Sequence, residues 1–175
     1  MSDWNVVITA RDQGFARAGE LLAPLASLQA TAYYNVMVGQ AADPLAFLAE
    51  AERIPGIESF VARIVPVTVT FHFQSPEEFE SQAGRAALPW LEQLAGSRFH
   101  VRMHRRGFRG RLVSPVEERF LDHFLIGHLQ AKGATAQVDF DDPDFILAVE
   151  TVDQQAGLSL WSRTARAQHP LPRLD

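Results

Sequence analysis

Residues 137–162 read "QVDFDDPDFILAVETVDQQAGLSLWS". Two apolar runs, 145–151 and 157–162, flank "DQQAG", a pattern that predicts two antiparallel strands joined by a turn. The preceding "DFDDPD" places Asp139, Asp141, Asp142 and Asp144 within six residues. Carboxylates at that density raise a Mg²⁺ or Ca²⁺ reading. Against it, the segment lacks the glycine of a tight calcium loop, and no glutamate follows at EF-hand spacing. Aspartates beside a proline are ordinary turn chemistry. The expectation is a turn that feeds a hairpin, with no metal.

Upstream, "SPVEERFLDHFLIGHL" (114–129) carries Phe120, Leu121, Phe124, Leu125 and His128 on one side of a helix. Ser114 is the expected cap, followed by Pro115 and Glu117. The same opening stands at Ser75, Pro76 and Glu78, leading a helix with Phe79, Ala83, Ala86, Trp90 and Leu94 on its stripe. Pro89 is expected to bend or divide it. Before that, "FVARIVPVTVTFHF" (60–73) alternates over its second half, with Val67, Val69, Phe71 and Phe73 on one face. Strands are expected at "WNVVITA" (4–10) and "ATAYYNVMVG" (30–39). Helices are expected over 13–26 and after Asp43–Pro44. The order, β-α-β-α-β and then helix, strand, helix and two strands, gives an α+β protein. The residues from 166 to 175 read as a flexible tail.

Between the two capped helices lies "RFHVRMHRRGFRGR" (98–111), with six arginines, two histidines and no acid in fourteen residues. Phe99, Val101 and Met103 alternate with His100, Arg102 and His104, which predicts a strand with an apolar inner and a basic outer face. Arg105, Arg106, Phe108, Arg109 and Arg111 continue into a glycine-bearing loop. The chain has 175 residues, 47% of them hydrophobic, and a formal charge of -5. That excludes a uniformly cationic surface but not a local cationic patch. Lys132 is the one lysine against fifteen arginines. With no cysteine, thiolate zinc sites, disulfides and cysteine nucleophiles are excluded. No run approaches the roughly 20 apolar residues of a membrane helix, and the start lacks the pattern of a signal peptide. A cytoplasmic protein is expected.

Val138, Asp139, Pro143, Asp144, Val149, Glu150 and Gly157 reproduce a Val-Asp, Pro-Asp, Val-Glu and Gly pattern. In this, residues 61 to about 163 resemble the THUMP domain, an RNA-binding module of RNA-modifying proteins. "ARIVPVTVTF" and "FHVRMHRRG" are similar to strands of one subgroup, the stand-alone accessory protein of tRNA cytidine acetylation. The resemblance implies an N-terminal ferredoxin-like domain over 1–60 and a THUMP-like α/β domain over 61–165. It also implies tRNA as ligand, held at its acceptor end, and a partner RNA-modifying enzyme on a separate chain.

The planar fork of arginine suits phosphate. Arg98, Arg102, His104, Arg105, Arg106, Arg109 and Arg111 are therefore the candidate RNA-binding residues, with His100 as a further donor. Phe108 is the candidate for stacking on a base. The alternative for the cationic run is a solvated face paired to Glu117, Glu118 and Asp122. No nucleotide-binding or nucleophile-elbow motif occurs, and too little chain follows the module for a catalytic domain. A non-catalytic adaptor without a cofactor is therefore expected. The rival is a dimeric α+β domain that binds a small anionic ligand or acts in protein–protein association.

Overall fold

The computed structural model describes residues 3–174, in two compact units. In the first, β1 (Val6–Ala10), α1 (Phe15–Leu22), β2 (Ser27–Ala30), β3 (Val36–Gln40), α2 (Pro44–Glu52) and β4 (Val61–Pro66) follow in order. The sheet order is β2-β3-β1-β4, antiparallel throughout. That is the ferredoxin-like arrangement of two interleaved β-α-β halves. Asp43 caps α2 as its sequence predicts, accepting the Leu45 and Ala46 N–H groups at 3.0 Å.

Three expectations are corrected here. The strand read over 30–39 is a hairpin, because the chain reverses at 31–35, where Asn35 takes a positive φ of 56°. The boundary between units falls after Thr68 rather than at 60/61. β4 pairs with β1 along its length, so the stretch 60–73 spans strands of two separate sheets. Residues 166–173 are not a flexible tail but part of the first unit. The Leu171 carbonyl accepts the Ile64 N–H at 3.1 Å, Arg63 Nε donates to the Pro172 carbonyl at 2.7 Å, and His169 meets Glu52 at 2.7 Å. The segment covers the outer edge of β4, which a sequence without strand periodicity does not reveal.

The second unit runs β5 (Val69–His72), α3 (Pro76–Ala87), α4 (Leu91–Leu94), β6 (Arg98–Arg106), α5 (Ser114–Ala131), β7 (Gln137–Val138), β8 (Phe145–Val152) and β9 (Gln155–Ser162). A final short helix, α6 (Arg163–Gln168), follows. The sheet order is β5-β9-β8-β6-β7, with β6 parallel to both β7 and β8. The hairpin read from the opening stretch is present: β8 and β9 pair antiparallel from Phe145↔Ser162 to Val152↔Gln155. Its turn is tighter than expected, only Asp153 and Gln154, with Asp153 at φ 53°. Such a two-residue loop needs a left-handed residue to match strand twist.

One face of this sheet carries Phe99, Val101, Met103, Leu147, Val149, Ala156 and Leu158 into a core with α3, α4 and α5. Glu78 N–H bonds the Ser75 hydroxyl at 3.1 Å, and the Glu78 carboxylate returns to the Gln74 N–H at 2.9 Å. The capping box thus closes one residue earlier than its usual form. Pro89 does divide the helix, through a turn of 3₁₀ helix at Leu88–Trp90. Gly84 lets the two long helices touch, since a Cβ there would lie 2.9 Å from the Phe124 ring. Ser114, in contrast, is not a cap: it is the first residue of α5, and Val113 stands at the cap position with no side-chain capping bond. Leu121, Leu125 and Leu129 line its buried side, while Phe120, Phe124 and His128 are only partly buried.

The far edge of β6 has no strand beside it after Phe99, because β7 pairs only with Arg98 and Phe99. α5 replaces the missing strand with carboxylates. Asp122 Oδ1 accepts the Val101 N–H at 3.1 Å and Glu118 Oε1 accepts the Met103 N–H at 2.7 Å. One helical turn of about 5.4 Å roughly matches two strand residues of about 6.6 Å, so residues four apart on the helix meet residues two apart on the strand.

Burial raises the Asp122 pKa to about 7; the Val101 N–H opposes the rise and nearby Glu118 adds to it. Between its ordinary value of 3.8 and about 7, the folded protein holds a proton that the unfolded chain has lost. Stability therefore falls as pH rises through that window, with a limiting slope of about 1.4 kcal/mol per pH unit. Asp122→Asn keeps an oxygen acceptor for Val101 and removes the titration. Urea denaturation from pH 4 to 8 should show a flatter profile in the variant, and greater stability than wild type at pH 8.

Candidate nucleic-acid interface

The expected strand at 98–104 forms, and extends to Arg106. Phe99, Val101 and Met103 are buried at 0%, 1% and 6% exposure, as the alternation predicts. The opposite face does not form a uniform row of free cations.

Arg98, at one end, is neutralised. It lies 3.5 Å from Asp139, 3.1 Å from Asp142 and 3.4 Å from Asp144, while its own backbone N–H bonds Asp144 at 2.9 Å. Arg163 joins the same aspartates at 2.8 and 3.0 Å. These contacts hold Asp139 and Asp144 below the usual carboxylate range. For Asp139 the Asp142 and Asp141 N–H groups act first, and for Asp144 the Arg98 N–H. "DFDDPD" is thus an arginine clamp and a turn. No cluster of metal-ligating side chains occurs among the described residues.

His100 is buried at 6%, donating from Nδ1 to the Asp139 carbonyl at 2.9 Å. Its ring lies against Phe140, centroids 5.1 Å apart. Arg106 is taken by Glu150, which is fully buried on β8 beside Thr151: Nη1 to Oε2 is 2.7 Å. His104 Nδ1 lies 3.8 Å from the other Glu150 oxygen, with its side chain one-third exposed. Parallel pairing explains the contact, since His104 stands opposite Glu150 in register and Arg106 is two residues further along.

Arg102, Arg109 and Arg111 are exposed and Arg105 is half-buried, its guanidinium donating to the Gly107 carbonyl. Gly107 (φ 100°), Phe108 (φ 50°) and Gly110 (φ 78°) turn this loop sharply between β6 and α5. Phe108 does not present a free ring. It packs 4.9 Å from Phe73 against the core, and Arg111 covers it with its guanidinium carbon 4.9 Å from the centroid.

The structure therefore leaves Arg102, Arg109 and Arg111 exposed and Arg105 half-buried, and assigns Arg98 and Arg106 to internal ion pairs. Glu118 and Asp122 serve the strand backbone rather than arginines, and Glu117 is buried at 3% beside the start of α5. Sequence reading passed over Phe140, 68% exposed at the tip of the acidic turn. The signal was a large apolar residue flanked by turn-forming aspartates.

No protein-family model matches the chain, and no curated protein matches its sequence. Solved structures do share its fold. PH1313 from Pyrococcus horikoshii Ot3 aligns over 91% of this chain and 55% of its own, at TM-score 0.65 and 11% identity. A 4-thiouridine synthetase, solved as an RNA complex with bound ATP, aligns over 91% and 41%, at TM-score 0.57 and 13% identity. TrmN from Thermus thermophilus aligns over 90% and 44%, at TM-score 0.56 and 20% identity. The chain spans about half the length of these proteins or less. Its fold is THUMP-like α/β, preceded by a ferredoxin-like unit, within an α+β protein. Among the described residues, no helix is long and apolar enough to cross a membrane.

Proposed function

We propose that this protein is a non-catalytic RNA-binding adaptor for tRNA, acting in the cytoplasm, which presents substrate to an RNA-modifying enzyme on another chain. The observation that carries the reading is the exposure of Arg102, Arg109 and Arg111, with Arg105 half-buried, on one strand and the loop that follows it in a THUMP-like fold. Supporting it, the same fold occurs in a 4-thiouridine synthetase captured with RNA. Guanidinium groups along a strand and its loop can each take two phosphate oxygens, which positions a backbone without reading its sequence. The sequence resemblance favours a tRNA acetyltransferase as the partner and the acceptor end as the part held.

Purification from the native cell, with sequencing of bound RNA and identification of bound protein, tests this directly. tRNA together with a modifying enzyme is the expected yield. The purified chain, incubated with tRNA and acetyl-coenzyme A, ATP or S-adenosylmethionine, should generate no modified nucleoside by mass spectrometry. A new nucleoside that persists after removal of contaminating enzymes would overturn the adaptor role.

A further inference from the structure

The turn at 139–144 is held firmly for a surface loop. Asp139 Oδ1 accepts the Asp141 and Asp142 N–H groups at 2.9 and 3.0 Å, and Arg98 and Arg163 clamp the aspartates around it. Yet the side chain this framework displays is apolar. Phe140 leaves 68% of its surface in water, so its ring adds little to the stability of the fold. The ring is backed by His100 at 5.1 Å and an interplanar angle of 32°, and His100 is itself fixed by its bond to the Asp139 carbonyl. One side of the phenyl thus rests on a fixed imidazole, and the other is open.

Two residues beyond His100 on the same face of β6 stands exposed Arg102, about 6.6 Å from His100 by strand rise. The turn itself holds four aspartates against two arginines, so it repels phosphate, whereas Arg102 attracts it. A neutral flat ring next to the phenyl and an anion next to Arg102 is the division of charge within a nucleotide.

We propose that Phe140, backed by His100, is a stacking platform for one unpaired base, with the adjoining phosphate directed to Arg102. This rests on the RNA-binding reading and adds to it a single-stranded nucleotide at a defined place. The preorganised turn means that little conformational freedom is lost when the base docks.

The test is fluorescence anisotropy with two RNA hairpins, one bearing a short unpaired overhang and one blunt, at several salt concentrations. Phe140→Ala should weaken binding of the overhang hairpin by roughly 5- to 150-fold, nearly independently of salt, and leave the blunt hairpin almost unchanged. Phe140→Trp should restore binding. A 2-aminopurine in the overhang should be quenched by wild type and by Phe140→Trp, but not by Phe140→Ala. Wild-type affinity of Phe140→Ala for the overhang hairpin, or equal losses on both hairpins, would overturn the platform. If the arginine variants described below then still lose binding, the RNA-binding reading stands without it. Absence of RNA binding by the wild-type protein would overturn both.

Discussion

A variant carrying Arg102→Gln, Arg105→Gln and Arg109→Gln is expected to lose most of its affinity for tRNA and most of its salt dependence. If these three and Arg111 each neutralise one phosphate, the wild-type log–log salt slope is on the order of -3 to -4. Affinity then falls roughly 60- to 250-fold between 50 and 200 mM salt. The triple variant should flatten the slope by about 2 to 3 units, with similar losses across different tRNAs because phosphate contacts carry no sequence information. Arg106→Gln is the informative control. Its guanidinium is spent on Glu150 at 2.7 Å, so its loss should leave the slope unchanged. Anisotropy of a labelled tRNA over a salt series measures all of this. An unaltered slope in the triple variant, with folding confirmed by circular dichroism, would reduce the cationic loop to a solvated face.

The second large effect concerns stability. Glu150→Ala is expected to destabilise the protein by about 3–5 kcal/mol, because it removes the fully buried carboxylate that meets the mostly buried Arg106 at 2.7 Å. Glu150→Gln, which retains an acceptor oxygen, should lose less. Replacing both residues with apolar side chains of similar size should recover much of the loss, since the desolvation of the two ions then disappears as well. Urea unfolding at pH 7 gives these values. A Glu150→Ala variant within 1 kcal/mol of wild type would mean that Arg106 swings readily into water, and would return it to the candidate RNA contacts.

The arginine run shows where composition stops being informative. Six arginines in fourteen residues looked like one patch, because no acid interrupts them in sequence. The acids that neutralise two of them arrive from elsewhere in the chain: Asp139, Asp142 and Asp144 reach Arg98, and Glu150 reaches Arg106. Phe108 misled for a related reason. A glycine-flanked aromatic suggests a mobile exposed ring, but Phe73 lies where this ring can pack.

Local rules were sufficient where the governing contacts are themselves local. Alternation placed Phe99, Val101 and Met103 inside; Ser75 with Glu78, and Asp43 with Pro44, started two helices; and the two apolar runs after "DFDDPD" paired as a hairpin. Strand and helix periodicity follow from backbone geometry, which neighbouring residues report directly. Tertiary structure alone decided the rest. It divided the apolar run at 60–73 between two sheets, because the choice of neighbouring strand depends on chain remote in sequence. It brought the Leu171 carbonyl to the edge of β4 and the carboxylates of α5 to the edge of β6, because an unpaired strand edge accepts any donor or acceptor the fold delivers. And it sorted the arginines into paired and solvent-facing, because Coulomb attraction and burial depend on distance in space, which their order along the chain does not encode.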